Sequence, residues 1–201
     1  GEEGVKRTFL KASEGADIAI VEGAMGMYDG LDGSDIASTA HVMRIIRAPA
    51  ILVVDVRGMS RSAHAVVSGF SSFSRDLDIR GVIFNRVGSP RHRAMIERET
   101  SLPVFGFIPR DTRLAVESRH LGLMMAFELT GYSSPLDLVG ESCDIGAIRK
   151  AAESAPCLEG ESISQECPRD QIRIGIAEDP AFCFYYQDNL DALRSAGVGD
   201  G

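Results

Sequence analysis

The sequence predicts an α/β protein: a mostly parallel, doubly wound sheet, incomplete within the chain, followed by the first strand-helix unit of a second α/β domain. Three observations carry this expectation. Continuous apolar runs recur at 17–22, 50–56, 81–85 and 104–108, the pattern of strands covered on both faces. Segments with helical apolar spacing separate the runs. The connections are short, as in repeated strand-helix-strand units.

Taken in order, the first run delivers Glu22 to its carboxyl end, and a glycine-broken loop then carries Asp29. In open α/β sheets ligands sit outside the carboxyl ends of the strands, so both acids point toward the expected crevice. Paired acids on such a loop suit Mg²⁺, which takes one or two carboxylates and leaves other positions to phosphate and water. A solvated acidic turn is the competing reading of the same residues. The next segment places Ile36, Ala40, Met43 and Ile46 on one helical face, with Ser34 or Asp35 as N-cap. Ala63, Val66, Val67, Phe70 and Phe73 form the stripe of a second helix that Ser60 could cap, and a weaker helix covers 91–100. The third run ends in Asn85, whose amide matches the N6 and N7 edge of adenine, although an Asn closing its own turn is the commoner use. The fourth leads into Pro109-Arg110; its Gly106 and Pro109 permit close backbone approach, and the segment could wall a base pocket.

Beyond residue 129 the pattern fades. Residues 131–140 read as turn-rich, 144–153 as a short helix, and 155–170 as a linker of Pro, Ser, Glu, Gln and Cys. A strand at 172–177, an aromatic turn at 182–186 and a helix at 188–196 then open a new unit. The expected division is 1–130, 131–170 and 171–201, with the last unit truncated, because one strand and one helix cannot bury their own apolar faces. No G-x-x-x-x-G-K-[ST] loop occurs, so a phosphate cradle is expected outside this chain.

Bulk properties exclude several classes. A net charge of −8 over 201 residues argues against a nucleic-acid surface. No apolar run approaches the ~20 residues of a membrane span, and residues 1–6 lack a signal-peptide core. The four cysteines, Cys143, Cys157, Cys167 and Cys183, have no C-x-x-C pair; free thiols in the cytoplasm are the expectation. Met25 and Met27 read as gap fillers beside the loop. His41, His64 and His92 read as surface or packing residues. Cys183 reads as a packed thiol in an aromatic segment.

The run Glu22-Gly23-Ala24-Met25-Gly26-Met27-Tyr28-Asp29-Gly30 resembles the E-G-[AV]-M-G-[LM]-[FY]-D-G signature of the cobyrinic acid a,c-diamide synthases. Further matches follow in order: Ser38-Thr39-Ala40, Leu52-Val53-Val54-Asp55, Gly81 to Val87, Ile108-Pro109-Arg110, and Arg119-His120-Leu121-Gly122-Leu123. The segment from Asp179 to Leu190 resembles the opening of that family's glutamine amidotransferase domain. The resemblance implies a dethiobiotin-synthetase-like P-loop NTPase fold and an ATP- and Mg²⁺-dependent ligase. In that reading the a and c carboxylates of a corrinoid are amidated through acyl phosphates, with L-glutamine as nitrogen source. Carried over by position, it implies that Glu22 binds Mg²⁺, that Asp29 acts at the substrate carboxylate, and that Asn85, Pro109 and Arg110 contact the adenine. Ser38 and Thr39 then line the substrate cleft at a helix N-terminus. Arg119 and His120 receive no role. Two other readings stay open: a nickel-sirohydrochlorin a,c-diamide synthase and a non-enzymatic, partitioning-type ATPase switch. Apolar surface left uncovered makes a homodimer an expectation.

Overall fold

A computed structural model describes residues 1–98, 100–114, 133–159, 172–177, 179, 182–196 and 198–200. The chain is α/β. It divides into two units, residues 18–157 and residues 1–17 with 158–201.

The larger unit is built on a parallel three-stranded sheet ordered β1-β2-β3, comprising β1 (Ala50–Asp55), β2 (Ile79–Val87) and β3 (Val104–Pro109). Helix α3 (Arg61–Phe73) connects β1 to β2, and α4 (Pro90–Glu97) connects β2 to β3. These correspond to the strands predicted at 50–56, 81–85 and 104–108 and to the helices between them. Helix α4 starts where a cap permits: Ser89 accepts from the His92 N–H, and Pro90 occupies the first turn, where its missing N–H costs nothing. Ser60 stands at the N-cap position of α3 but makes no side-chain capping bond.

The core lies where α3 and α4 meet the sheet. Val56, Ala63, Val67, Val82, Phe84, Val87 and Ile96 form one buried cluster, with Leu52, Met59, Leu102 and Phe107 packed against it. Arg93 lays its guanidinium 4.5 Å from the Phe107 ring centre, and Phe107 lies 5.7 Å from the Phe84 ring. Two glycines allow close packing at the sheet. A Cβ on Gly81 would sit 2.7 Å from the Phe105 ring, and one on Gly106 would sit 2.6 Å from Cys143 Sγ. The second contact accompanies α5 (Ser133–Ser142) and α6 (Ile145–Glu153) against β3, where the Asp144 N–H donates to the Phe105 carbonyl.

Several expectations are corrected. Residues 18–24 form no strand, and Ile20 is 91% exposed. A strand is held by its ladder, and among the described residues none pairs with this run; β1 pairs only with β2. The helix after the acidic loop is α2 (Thr39–Ile46), capped by Ser38 rather than Ser34 or Asp35, so Ile36 lies outside it and is exposed. The stretch expected to be turns, 131–140, contains most of α5, which accepts Pro135 in its first turn. Met25 is 87% exposed and fills no gap. Residues 160–171, most of the expected linker, and Arg119 with His120 lie outside the described residues.

The smaller unit holds α1 (Glu2–Ala12), which the apolar pattern did not announce, with β4 (Ile172–Ile174), α7 (Gln187–Ser195) and β5 (Val198–Asp200). β4 and β5 pair in parallel. Thr8 Oγ1 donates to Asp188 at 2.6 Å, and Lys11 pairs with Asp191, joining α1 to α7. Phe182, Phe184 and Tyr186 of the aromatic turn are exposed.

Packing at the sheet gives a direct prediction. Phe84 is fully buried, so Phe84→Ala should cost about 3–5 kcal/mol in urea unfolding. Val53, 64% exposed on β1, should tolerate Val53→Thr within about 0.5 kcal/mol.

Candidate functional site

The parallel register brings the carboxyl ends of the three strands together. Asp55 on β1 stands opposite Asn85 on β2, and Val87 on β2 opposite Pro109 on β3. The Val56 N–H donates to the Asn85 carbonyl at 3.0 Å, and the Arg110 N–H to the Val87 carbonyl at 2.9 Å. Asn85 and Pro109 are half-buried and Arg110 is exposed. The three residues expected at the base pocket therefore lie on adjoining strand tips.

The Asn85 side chain is partly engaged: its Oδ1 accepts the Arg86 N–H at 2.9 Å. Arg86 itself adopts a left-handed φ of 62, a conformation uncommon for a residue with a Cβ. An amide oxygen carries two lone pairs and the NH₂ two donors, so capacity for a purine edge remains. The Arg86 guanidinium donates to Asp55 Oδ2 at 3.0 Å, tying β1 to β2 at their tips. His92 adds a second tie. Its Nδ1 accepts from the Gly88 N–H at 3.0 Å, and its Nε2 meets the Met59 carbonyl at 2.5 Å. A carbonyl accepts only, so the ring is held with its proton on Nε2. Thus His92 packs as expected but also links two of the loops at the sheet edge.

The acidic loop is organised around α2. The Ala40 N–H donates to the Met27 carbonyl at 2.9 Å. Gly23 lies against Thr39, where a Cβ would come within 2.7 Å of that side chain. Asp29 folds over Gly26, whose added Cβ would fall 1.8 Å from Asp29 Oδ2. Both Glu22 and Asp29 are exposed. Neither is drawn into an ion pair among the described residues, and no cluster of three His, Cys, Asp or Glu that could hold a metal occurs among them. Two free hard-oxygen donors fit Mg²⁺ completed by phosphate and water. Thr39 is half-buried at the helix start. Ser38 differs: it is 2% exposed, and its hydroxyl accepts the His41 N–H at 3.1 Å. Its oxygen caps α2, which sets the position of Thr39 instead of facing a ligand.

Contacts that sequence reading missed hold this loop in place. The Tyr28 hydroxyl donates to the Phe70 carbonyl of α3 at 2.6 Å. Arg44 donates to Asp35 at 2.6 Å, to Asp76 at 2.5 Å and to Ser74 at 2.9 Å. Arg44 therefore joins the end of the loop to the turn after α3. Only a charged residue late in a short amphipathic helix hinted at that role. Cys143, Cys157 and Cys183 form no disulfide among the described residues, and burial pushes the Cys143 thiol up. His64 lies half-buried in α3 with both ring nitrogens unpartnered. No described helix is long and apolar enough to cross a membrane.

The Arg44 cluster predicts an acid dependence. The Arg44 guanidinium, aided by the Ser74 hydroxyl, holds the Asp76 carboxyl at about 2 against an ordinary 3.8. Arg113 does the same for Asp111, also to about 2. A depressed native value means that the stabilisation is complete above pH 3.8 and is lost as pH falls toward about 2. Asp76→Asn should flatten the fall in melting temperature over that window, and the double variant with Asp111→Asn should flatten it further.

The chain was compared with known proteins. A family model described as an AAA domain matches residues 3–118. The chain is 37% identical over 206 residues to the cobyrinate a,c-diamide synthase of Caldanaerobacter subterraneus subsp. tengcongensis, covering 98% of this chain and 45% of that protein. It is 39% identical to the enzyme of the same name from Methanosarcina acetivorans, covering 98% and 44% respectively. The Listeria monocytogenes serotype 4b relative, again a cobyrinate a,c-diamide synthase, is 39% identical over 94% of this chain and 44% of its own length. The chain thus spans just under half the length of these curated relatives. No solved structure matches it. By the family model the chain belongs to this AAA domain family, and the relatives it resembles along nearly its whole length are cobyrinate a,c-diamide synthases.

Proposed function

We propose that this chain forms part of an ATP- and Mg²⁺-dependent ligase that amidates the a and c carboxylates of cobyrinic acid in cobalamin biosynthesis, with L-glutamine as amide donor. The observation that carries the reading is the identity of 37–39% over 94–98% of the chain to cobyrinate a,c-diamide synthases. The placement of Asn85, Pro109 and Arg110 on adjoining strand tips supports it, since this is where an α/β sheet receives a ligand.

The chemistry explains why such residues are needed. A carboxylate is a poor electrophile because oxide is a poor leaving group. Attack of a carboxylate oxygen on the γ-phosphorus of ATP releases ADP and leaves an acyl phosphate; ammonia then displaces phosphate and forms the amide. Mg²⁺, when bound, offsets the charge of two anions brought together. In this reading Glu22 holds the metal and Asp29 orients the reacting carboxylate or removes a proton from the attacking ammonia. Asn85 reads the adenine edge beside Pro109 and Arg110. Thr39 meets the substrate at the start of α2, with Ser38 holding that turn. Residues 1–130 belong to the ligase part, 131–170 to a linker and 171–201 to the opening of a glutaminase part. The enzyme works in the cytoplasm, and a homodimer covers its exposed apolar surface.

The test uses the full-length protein that contains this chain, incubated with cobyrinic acid, ATP, Mg²⁺ and glutamine, with amide products read by mass spectrometry. Glutamine-dependent diamide formation is the expected result; ATP hydrolysis without amidation would remove the ligase assignment. Within an active enzyme, Asn85→Ala should raise KM for ATP about tenfold, from the ~1–3 kcal/mol of a bidentate amide-adenine contact. Asp29→Asn should lower kcat by at least about a hundredfold if the group moves a proton.

A further inference from the structure

We infer that Tyr28 is a positioning residue: its ring and hydroxyl seat the acidic loop on α3 and so set where the adjoining Asp29 carboxylate stands. The role of Asp29 rests on the ligase reading above; the anchoring rests on geometry alone.

Three features of the loop lead there. First, the Tyr28 hydroxyl donates to the Phe70 carbonyl at 2.6 Å. Phe70 lies in the last turn of α3 (Arg61–Phe73), whose carbonyls have no partner within the helix. The tyrosine therefore satisfies a group that the helix leaves open. Second, the ring stacks on Phe70 at 5.8 Å and 27°, and meets Phe73 at 4.6 Å and 49°. Phe73 remains 76% exposed, so Tyr28 touches one side of the helix end and leaves the rest of it open.

Third, the loop holds a backbone that it would not choose unaided. Met25, Asp32 and Ala37 all adopt left-handed φ, at 58, 54 and 65, a region disfavoured for residues with a Cβ. Such conformations persist only where surrounding contacts over-determine them. Within the loop the Asp29 N–H donates to Gly26, Gly30 to Ser34 and Leu31 to Ile36, at 3.2, 3.0 and 2.8 Å. These bonds make residues 26–36 a connected unit. Its outer fastenings are Tyr28 on α3, the Ala40 N–H on Met27, and Arg44 on Asp35. Of these, Tyr28 stands next to the carboxylate in sequence, so its displacement moves Asp29 most directly.

A residue that merely covers apolar surface would affect stability and leave the kinetic split unchanged, and the test separates the two. Hydrogen exchange is measured on the chain, and steady-state kinetics on the full-length ligase, for wild type, Tyr28→Phe and Tyr28→Ala. Tyr28→Ala should speed exchange in 26–36 at least about tenfold and leave β2 unchanged. It should also lower kcat about a hundredfold while KM for ATP stays within about twofold. Tyr28→Phe keeps the ring and loses one hydrogen bond, so kcat should return to within about threefold to tenfold of wild type. Should Tyr28→Ala unfold, Tyr28→Leu takes its place. Unaltered exchange in 26–36, or unchanged kcat beside faster exchange, would overturn the inference. Absence of amidation by the wild-type enzyme would instead strike the ligase reading, and the exchange result alone would then decide whether Tyr28 anchors the loop.

Discussion

Parallel strands place all their carboxyl ends on one edge, and the register of those strands decides which side chains share that edge. Here the ladder sets Asp55 beside Asn85 and Val87 beside Pro109. A slip of one residue would send each side chain to the opposite face of the sheet. Phe84 and Val82, buried against α3 and α4, resist that slip from within the core. The Arg86–Asp55 bond and the His92 bridge from Gly88 to Met59 fasten the same edge from outside. Core packing and edge chemistry thus depend on one alignment, and the proposed adenine site inherits its precision from residues that would never touch a nucleotide.

The acidic loop is held by a different means. It belongs to no ladder, so its shape comes from the capped start of α2, from Tyr28 on the end of α3, and from Arg44 between two acidic turns. Glycines at 23, 26 and 30 let it close: each has a neighbour that an added Cβ would strike. This combination leaves Glu22 and Asp29 exposed and outside any ion pair among the described residues.

Much of this was legible in the residues. The runs at 50–56, 81–85 and 104–108 read as strands because their apolar residues are continuous; the helix expected from 91 starts at Pro90, where the Ser89 cap fixes it. What escaped reading depends on distant partners. The run 17–22 is as apolar as the others, but apolarity does not supply a neighbouring strand, and its residues stand exposed. Helix α1 begins at Gly1 without a side-chain cap and buries none of its residues fully, so its local signal is weak. Ser38 outcompeted Ser34 and Asp35 as cap because its oxygen alone reaches the His41 N–H. Pro135 and Gly140 hid α5 by resembling turn residues. The Tyr28–Phe70 bond spans 42 residues, beyond any local pattern. Asn85, Pro109 and Arg110 lie on adjoining strand tips, while Ser38 is the buried cap of α2.

In the proposed function, one sheet edge and one docked loop jointly receive a nucleotide and its metal. Crystals of the full-length protein grown with Mn²⁺ and a non-hydrolysable ATP analogue test it most directly, through the anomalous signal of the manganese. The expected result is a peak bound by Glu22 or Asp29, with the adenine ring against Asn85. A manganese peak away from both carboxylates, with the base bound elsewhere than the β2 and β3 tips, would contradict it.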